Sequence, residues 1–518
     1  MSTPLSVPLD QLIRTEAAFL NLPTPGPASL PVPNPTKSYW LDSEEGVNPL
    51  RSHGSDGPLI QDADICIIGS GITGVSAAWH LAKTLERSSA GREKPLDVVI
   101  LEARDFCSGA TGRNGGHLTA RSFLEFSHVE KVWGTDEALR SAKIEDYTAA
   151  SITNFLKDQD LVDYADLVEG GHIALFFTPE EEAAARQDYE AAKKAGLEIP
   201  QAGWISADEM NKTYGTAYPG VLTPGSNLWP SKFVTKLFLA SSSSPSINLT
   251  LHTRTPVTSI APSPSPSSSS SPLSTRRHTL QTPRGPITCT SIIHATNAYA
   301  SHLLPQMAGP TGIIPTRGQV AALRAAAPLK EITKRAWYGN LGFEYWFPRP
   351  IKKESKLVDN GDVQHTLSTN TTTNEKKDKE EYPLIILGGG REAETPDFGN
   401  YVTDDSVVGE KAGKALRGFL PGVYPGKYEE GRGVEMEWTG IMGFTKIGDP
   451  FVGPVKPFKE SNEGQFIAAG YHGHGMPRAF ACAEAIAQIL LHELNGGKFE
   501  DWEKPEWLPE RYLTRFER

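Results

Sequence analysis

The sequence predicts an α/β fold in which a nucleotide domain on a parallel sheet accompanies a second domain. Three observations carry this. The apolar run Ile65 to Ile68 is followed at once by Gly69, Gly71 and Gly74, and then by residues of helical composition, Val75 to Leu85. A second apolar run, Val98 to Leu101, ends in the acid Glu102. Finally, 518 residues exceed what one small hydrophobic core holds, so two domains are expected, intertwined or consecutive.

Each part of the first stretch has a physical task. A short unbroken apolar run suits a strand buried on both faces, as in a parallel sheet. Gly69 permits the tight turn, and Gly71 lets a pyrophosphate approach the backbone. Gly74 lets the helix pack close to the strand, with its N-terminus facing the anion. Glu102 is placed to accept hydrogen bonds from ribose hydroxyls, which suits FAD or NAD and would repel a 2'-phosphate. The distance from Gly74 to Glu102 exceeds the usual spacing of about 20 residues, and the polar insert Arg87 to Pro95 accounts for the excess. A glycine turn holding no nucleotide is the competing reading, and the order strand, glycines, helix, strand, acid argues against it.

Composition narrows the function classes. Hydrophobic residues at 38% supply a substantial core. A net charge of -11 and a pI near 5.7 argue against general binding of nucleic acid or anionic membranes. Cys66, Cys107, Cys289 and Cys482 are widely spaced, with no C-x-x-C pair and no histidine cluster beside them. Neither a disulfide framework nor a metal site is expected, and reduced thiols in the cytosol are the simpler reading. No apolar run reaches the length of about 20 residues that spans a bilayer. Met1 to Leu12 lacks the basic-then-apolar pattern of a signal peptide, and Arg515 to Arg518 carries no address motif. The expected location is cytoplasmic.

Residues 1–60 are proline-rich and read as an extended arm over the nucleotide domain, with Tyr39-Trp40-Leu41 available to dock on the core. Beyond Glu102 the run Ala103 to His117 holds Gly109, Gly112, Gly115 and Gly116 together with Ser108, Thr111 and Asn114. Such a loop can surround a large polar ligand, and loops on a rigid sheet commonly carry function. A plain glycine-rich surface loop is the alternative.

With Ser108-Gly-Ala-Thr-Gly-Arg-Asn-Gly-Gly116 added to the glycine loop and Glu102, the chain resembles the FAD-dependent oxidoreductases of the D-amino-acid-oxidase type. These include glycine, sarcosine and gamma-glutamylputrescine oxidases, and this loop is most similar to the version in the last branch. The resemblance implies that the loop runs past the pyrophosphate and under the flavin, which favours FAD over NAD. It implies a Rossmann-like FAD-binding domain interleaved with a mixed-sheet substrate domain. The FAD-binding parts are then 61–125, 227–310 and 432–500, and the substrate parts 126–226 and 311–431. It also implies that Ala103, Arg104, Arg113 and His117 join the cofactor site, with Val257 meeting the adenine through its backbone. The segment Ala468 to Met476 resembles the family's closing FAD segment and adds Gly473, His474, Gly475 and Met476.

Within this frame, Thr178-Pro-Glu-Glu181 opens a helix over Pro179 to Lys194, and Ser206-Ala-Asp-Glu209 is a capping box. A long helix is expected over Lys131 to Leu156. Gly170 to Thr178, Leu249 to Thr253, Val257 to Ile260, Leu341 to Pro348 and Tyr382 to Gly388 read as strands, and Ala479 to Leu494 as the last helix. The Ser/Pro tract in 261–276 and the charged tract in 352–381 bury too little apolar surface to order themselves, and read as disordered inserts.

For chemistry, the resemblance implies oxidation of the C–N bond of an amine or amino acid by hydride transfer to flavin, giving an imine that hydrolyses. An electron acceptor, oxygen among the candidates, then takes the electrons. Arg391 is the candidate to hold a carboxylate, with a surface role as the alternative. Tyr345 and Trp438 are candidates to wall the pocket, with a place in the core as the alternative. His117 and His474 are expected near the flavin ring, or else as neutral, satisfied histidines. Some relatives tether FAD to a cysteine in the segment matching Trp438 to Phe444. Ile441 and Met442 stand there in this chain, so non-covalent FAD is expected, and Cys482 reads as core. Lys446 and His472 depart from the family's usual residues. A flavin-binding protein without oxidase activity and an NAD-dependent dehydrogenase are the alternatives to an amine oxidoreductase.

Overall fold

In the computed structural model of the protein, residues 26–87, 94–199, 202–263, 277–351, 381–429, 432–457 and 462–516 are described. The inserts expected at 261–276 and 352–381 fall outside these, save for residues 261–263 and 381, as do the first 25 residues of the arm.

The glycine-loop strand Asp62–Ile68 lies centrally in an eight-stranded sheet. It pairs in parallel with Leu96–Leu101 on one side and with Gly285–His294 on the other. Ile247–His252 extends the first side in parallel, and Gln465–Ala469 the second. The apolar run reads as it does because both faces are covered. Ile65 and Ile67 pack under the helices Ile72–Arg87, Pro230–Ser242 and Ala479–Leu494, while Cys66 and Ile68 pack with Leu280 and Ile287 on the other face.

A second eight-stranded sheet runs from Val434–Phe444 through Ile314–Arg324, Leu384–Gly389, Glu344–Pro348, Ala336–Gly339, His172–Leu175 and Gly220–Thr223 to Gly203–Ile205. It is antiparallel except where Ala336–Gly339 meets His172–Leu175. Val434–Phe444 falls in the segment assigned to the nucleotide domain, yet it pairs along its length with Ile314–Arg324. Its glycines Gly440 and Gly443 let the strand pass close to Arg113 and Asn297.

The helix expected over Lys131 to Leu156 is two helices, Phe126–Trp133 and Thr135–Asp158, divided at Gly134, whose φ of +89° breaks the first. Pro179–Lys194 and Ala207–Tyr214 form with Thr178 and Ser206 as N-caps, accepting from the Glu181 and Glu209 amides. The arm contributes a four-residue helix, Tyr39–Asp42, whose Trp40 is fully buried against Trp229. It lies between the Ala103–His117 loop and the second sheet rather than over the nucleotide domain alone: Trp40 Nε1 donates to the Asn114 carbonyl at 2.6 Å, and the Thr439 amide donates to Thr36 Oγ1 at 3.0 Å.

Candidate active site

A cavity of about 690 Å³ takes its walls from both sheets. That is within the range of about 300–1,000 Å³ usual for ligand pockets. Gly69, Gly71, Glu102, Ala103, Arg104, Thr111, Arg113, Asn114, Gly115, Gly116, His117, Val257, Gly473, His474, Gly475 and Met476 all line it, as do Tyr345 and Arg391. Gly74, Ser108 and Trp438 do not.

The glycine loop is shaped for close approach. Gly69 turns with φ +110°, and a Cβ on Gly71 would crowd Thr111 Oγ1 at 3.0 Å. Thr111 Oγ1 in turn accepts from the Ile72 amide at 3.0 Å, so the second loop caps the helix that the first one opens. Gly74 sits under the helix, where a Cβ would lie 2.0 Å from the Gly69 carbonyl oxygen.

Glu102 is more occupied than the sequence suggests. Its Oε2 accepts from the Ser70 amide at 2.9 Å and the Ser70 hydroxyl at 2.8 Å, and Oε1 accepts from the Arg104 amide at 2.9 Å. A carboxylate offers about four lone-pair sites, so about one remains for a ribose hydroxyl.

The two loop arginines line the cavity and also tie it together. Arg104 Nη1 donates to both oxygens of Asp405 at 2.9 and 3.1 Å, and Nη2 to the Ser108 carbonyl. Arg113 donates to the carbonyls of Ser108, Thr439 and Thr36. Their guanidinium groups bind the loop to the arm and the second sheet, where fully buried Asp405 attracts both. Ser108 serves through its carbonyl. Trp438, expected to wall the pocket, is fully buried instead, with Nε1 donating to the Arg113 carbonyl at 2.8 Å.

The rest of the wall is aromatic and weakly basic. His117 meets Tyr345 and Phe347 edge-on, with centroids 5.4 and 5.1 Å away, and burial drops its pKa to about 4. His172 stacks on Tyr338 at 5.1 Å and is also held neutral by burial. His472 stacks on Phe444 at 4.2 Å, and burial lowers its pKa to about 3. Arg391 lies between the rings of Phe343 and Phe444, 5.1 and 4.8 Å from their centroids. Lys446 is exposed, off the cavity wall. Ile441 and Met442 line the cavity, whereas Cys482 is buried in the last helix, where burial pushes its thiol up.

Sequence reasoning missed Arg121, His172, Tyr338 and Asn297, which also line the cavity. Only Asn297 left a signal: it directly follows the strand Gly285–His294 and its Ala295-Thr296 turn. Its φ is +44°, and its Oδ1 accepts from the Gly470 amide at 3.0 Å, next to the closing glycine segment.

A family model described as "DAO: FAD dependent oxidoreductase" matches residues 64–489. Gamma-glutamylputrescine oxidoreductase of Escherichia coli strain K12 is 41% identical over 103 residues, which make up 20% of this chain and 21% of that protein. That match thus spans about a fifth of its relative's length. A "Probable oxidoreductase OrdL" of Rhizobium meliloti strain 1021 is 22% identical over 444 residues, 84% of each chain. Among solved structures, glycine oxidase from Geobacillus kaustophilus superposes with a TM-score of 0.57 at 19% identity, covering 83% of this chain and 95% of its own.

Proposed function

From the premise that the chain belongs to the FAD-dependent oxidoreductase family, we propose that it oxidises the C–N bond of an amine or amino acid. The observation that carries this is one cavity in which the glycine loop and Glu102 share walls with Arg391, Tyr345 and five histidines.

The residues present fit the cofactor. Gly69 and Gly71 leave the backbone bare where a pyrophosphate approaches, and Glu102 keeps an acceptor site for the ribose. Gly115, Gly116 and the Gly473-His474-Gly475 turn bound the remaining wall. The chemistry supplied on binding is acceptance of a hydride from the carbon bearing nitrogen, leaving an imine that water hydrolyses. Attachment is non-covalent in this reading, since among the described residues no cysteine lines the cavity.

The chain's own residues bind, orient and exclude water. Arg391 offers a planar guanidinium, steadied by two rings, to a substrate carboxylate. Tyr338, Tyr345 and Phe343 present apolar surface that keeps water from the reacting carbon. Neutral His117 and His172 add no positive charge that would repel an amine. The electron acceptor that follows, oxygen or another oxidant, enters this proposal only as a class. A cytosolic setting accords with four free, buried cysteines. Among the described residues no helix is long and apolar enough to cross a membrane.

Anaerobic mixing with a panel of amines, polyamines and D-, L- and N-methyl amino acids tests the reading. At least one should bleach the flavin's visible absorption. A flavin that none of them reduces overturns amine oxidation, and leaves a flavin-binding protein of another kind.

A further inference from the structure

Glu145 lies in the middle of the helix Thr135–Asp158, behind the cavity-lining residues His474 and Arg121, and is only 1% exposed. Three donors from two segments converge on it. Arg478 Nε donates to Oε1 at 2.8 Å, while His474 Nε2 and the Arg121 amide donate to Oε2 at 3.2 and 2.7 Å. Burial alone would favour the neutral acid, but His474 and Arg478 hold the carboxyl well below the usual range. An ionised carboxylate only accepts, so the proton of a neutral His474 sits on Nε2 and the lone pair on Nδ1. Nδ1 has no hydrogen-bond partner among the described residues, and 24% of the side chain remains exposed where His474 lines the cavity. The groups facing this ring are Glu145, Arg121, Arg478 and the neutral imidazoles of His117 and His172.

We propose that His474 Nδ1 accepts the proton of the substrate's ammonium group, and that Glu145 is the positioning residue that fixes its tautomer. This rests on the amine-oxidation reading. One N–H bond of R–NH3⁺ breaks, its electron pair stays on nitrogen, and the proton forms a bond to Nδ1. No electron is transferred in this step. The free amine then carries the lone pair that drives hydride loss from the neighbouring carbon, and the proton later leaves to water. Glu145 stabilises the imidazolium while it lasts, as a carboxylate does for any histidine base it orients. Burial and Arg121 keep the ring from being protonated beforehand.

Two measurements on the flavin-loaded protein test this. In ¹⁵N-histidine NMR, the signal lost in His474→Gln should report an Nε2–H tautomer, and Glu145→Gln should mix the tautomers while Glu145→Asp keeps them. In kcat/KM against pH, the wild type should show an acidic limb. His474→Gln should fall about 10²–10⁴-fold near neutral pH and move that limb up to the pKa of the substrate's own ammonium group, below which it rises about tenfold per pH unit as the amine loses its proton unaided. Rates in every variant are taken per bound flavin. An Nδ1–H tautomer in the wild type, or an acidic limb that stays at its wild-type pH in His474→Gln, overturns the proposal alone. A wild-type flavin that no amine reduces overturns the proton-transfer role together with the reading beneath it, and leaves the tautomer result standing.

Discussion

A Cβ at Gly74 would sit 2.0 Å from the Gly69 carbonyl oxygen and 3.2 Å from Ile67 Cγ2, and a backbone atom cannot swing aside. Gly74→Ala should therefore push the helix Ile72–Arg87 off its strand, at a cost of about 1–3 kcal/mol, and lower the flavin-to-protein absorbance ratio on purification. A variant that retains full flavin would refute this role for the glycine. His294 illustrates a different single-residue effect. It is fully buried, its Nε2 lies 2.9 Å from Gln465 Oε1, and burial lowers its pKa to about 4. Below about pH 6.5 the unfolded chain takes up a proton that the folded ring refuses until about pH 4. Stability present above that window is thus lost as pH falls through it, by up to about 3 kcal/mol for this one residue. His294→Asn should remove that share, visible as a flatter dependence of Tm on pH between 6.5 and 4.

At the scale of elements, two kinds of helix behave differently. Pro179–Lys194 is specified locally: Thr178 caps it, Pro179 starts it, and its first turn is acidic. Thr178→Ala should cost about 1 kcal/mol in denaturant melts and leave flavin content unchanged. Tyr39–Asp42 is too short to persist alone. It exists because Trp40 fills a pocket formed with Trp229 and Trp438 and its indole nitrogen holds the Asn114 carbonyl. Trp40→Ala should cost about 3–5 kcal/mol, and it should also release flavin, since the arm braces the loop that lines the cofactor cavity. Unchanged flavin retention in Trp40→Ala would show that the loop holds its shape without the arm.

Across the whole molecule, Asp405 is the joint. It binds Arg104 of the nucleotide loop, while its carbonyl accepts from the Thr36 amide of the arm at 2.8 Å and from the Thr439 hydroxyl of the second sheet at 3.2 Å. Asp405→Asn leaves Arg104 buried without its counter-charge, which should cost about 3–5 kcal/mol and speed flavin release in stopped-flow dilution. Release at the wild-type rate would mean that the loop is anchored elsewhere. The sequence by itself determined what depends on near neighbours. Glycine spacing, the doubly buried strand, the acid at the end of the next strand and the capped helices at Thr178 and Ser206 all follow from periodicity and bonds a few residues long. Tertiary structure alone decided where the long polar side chains end. It paired Arg104 and Arg113 with Asp405, Val434–Phe444 with Ile314–Arg324, and brought Glu145 to His474 across 329 residues. The reason is physical. A buried charge settles on whichever partner the folded chain brings within reach, and that partner lies too far along the sequence for any local pattern to record it.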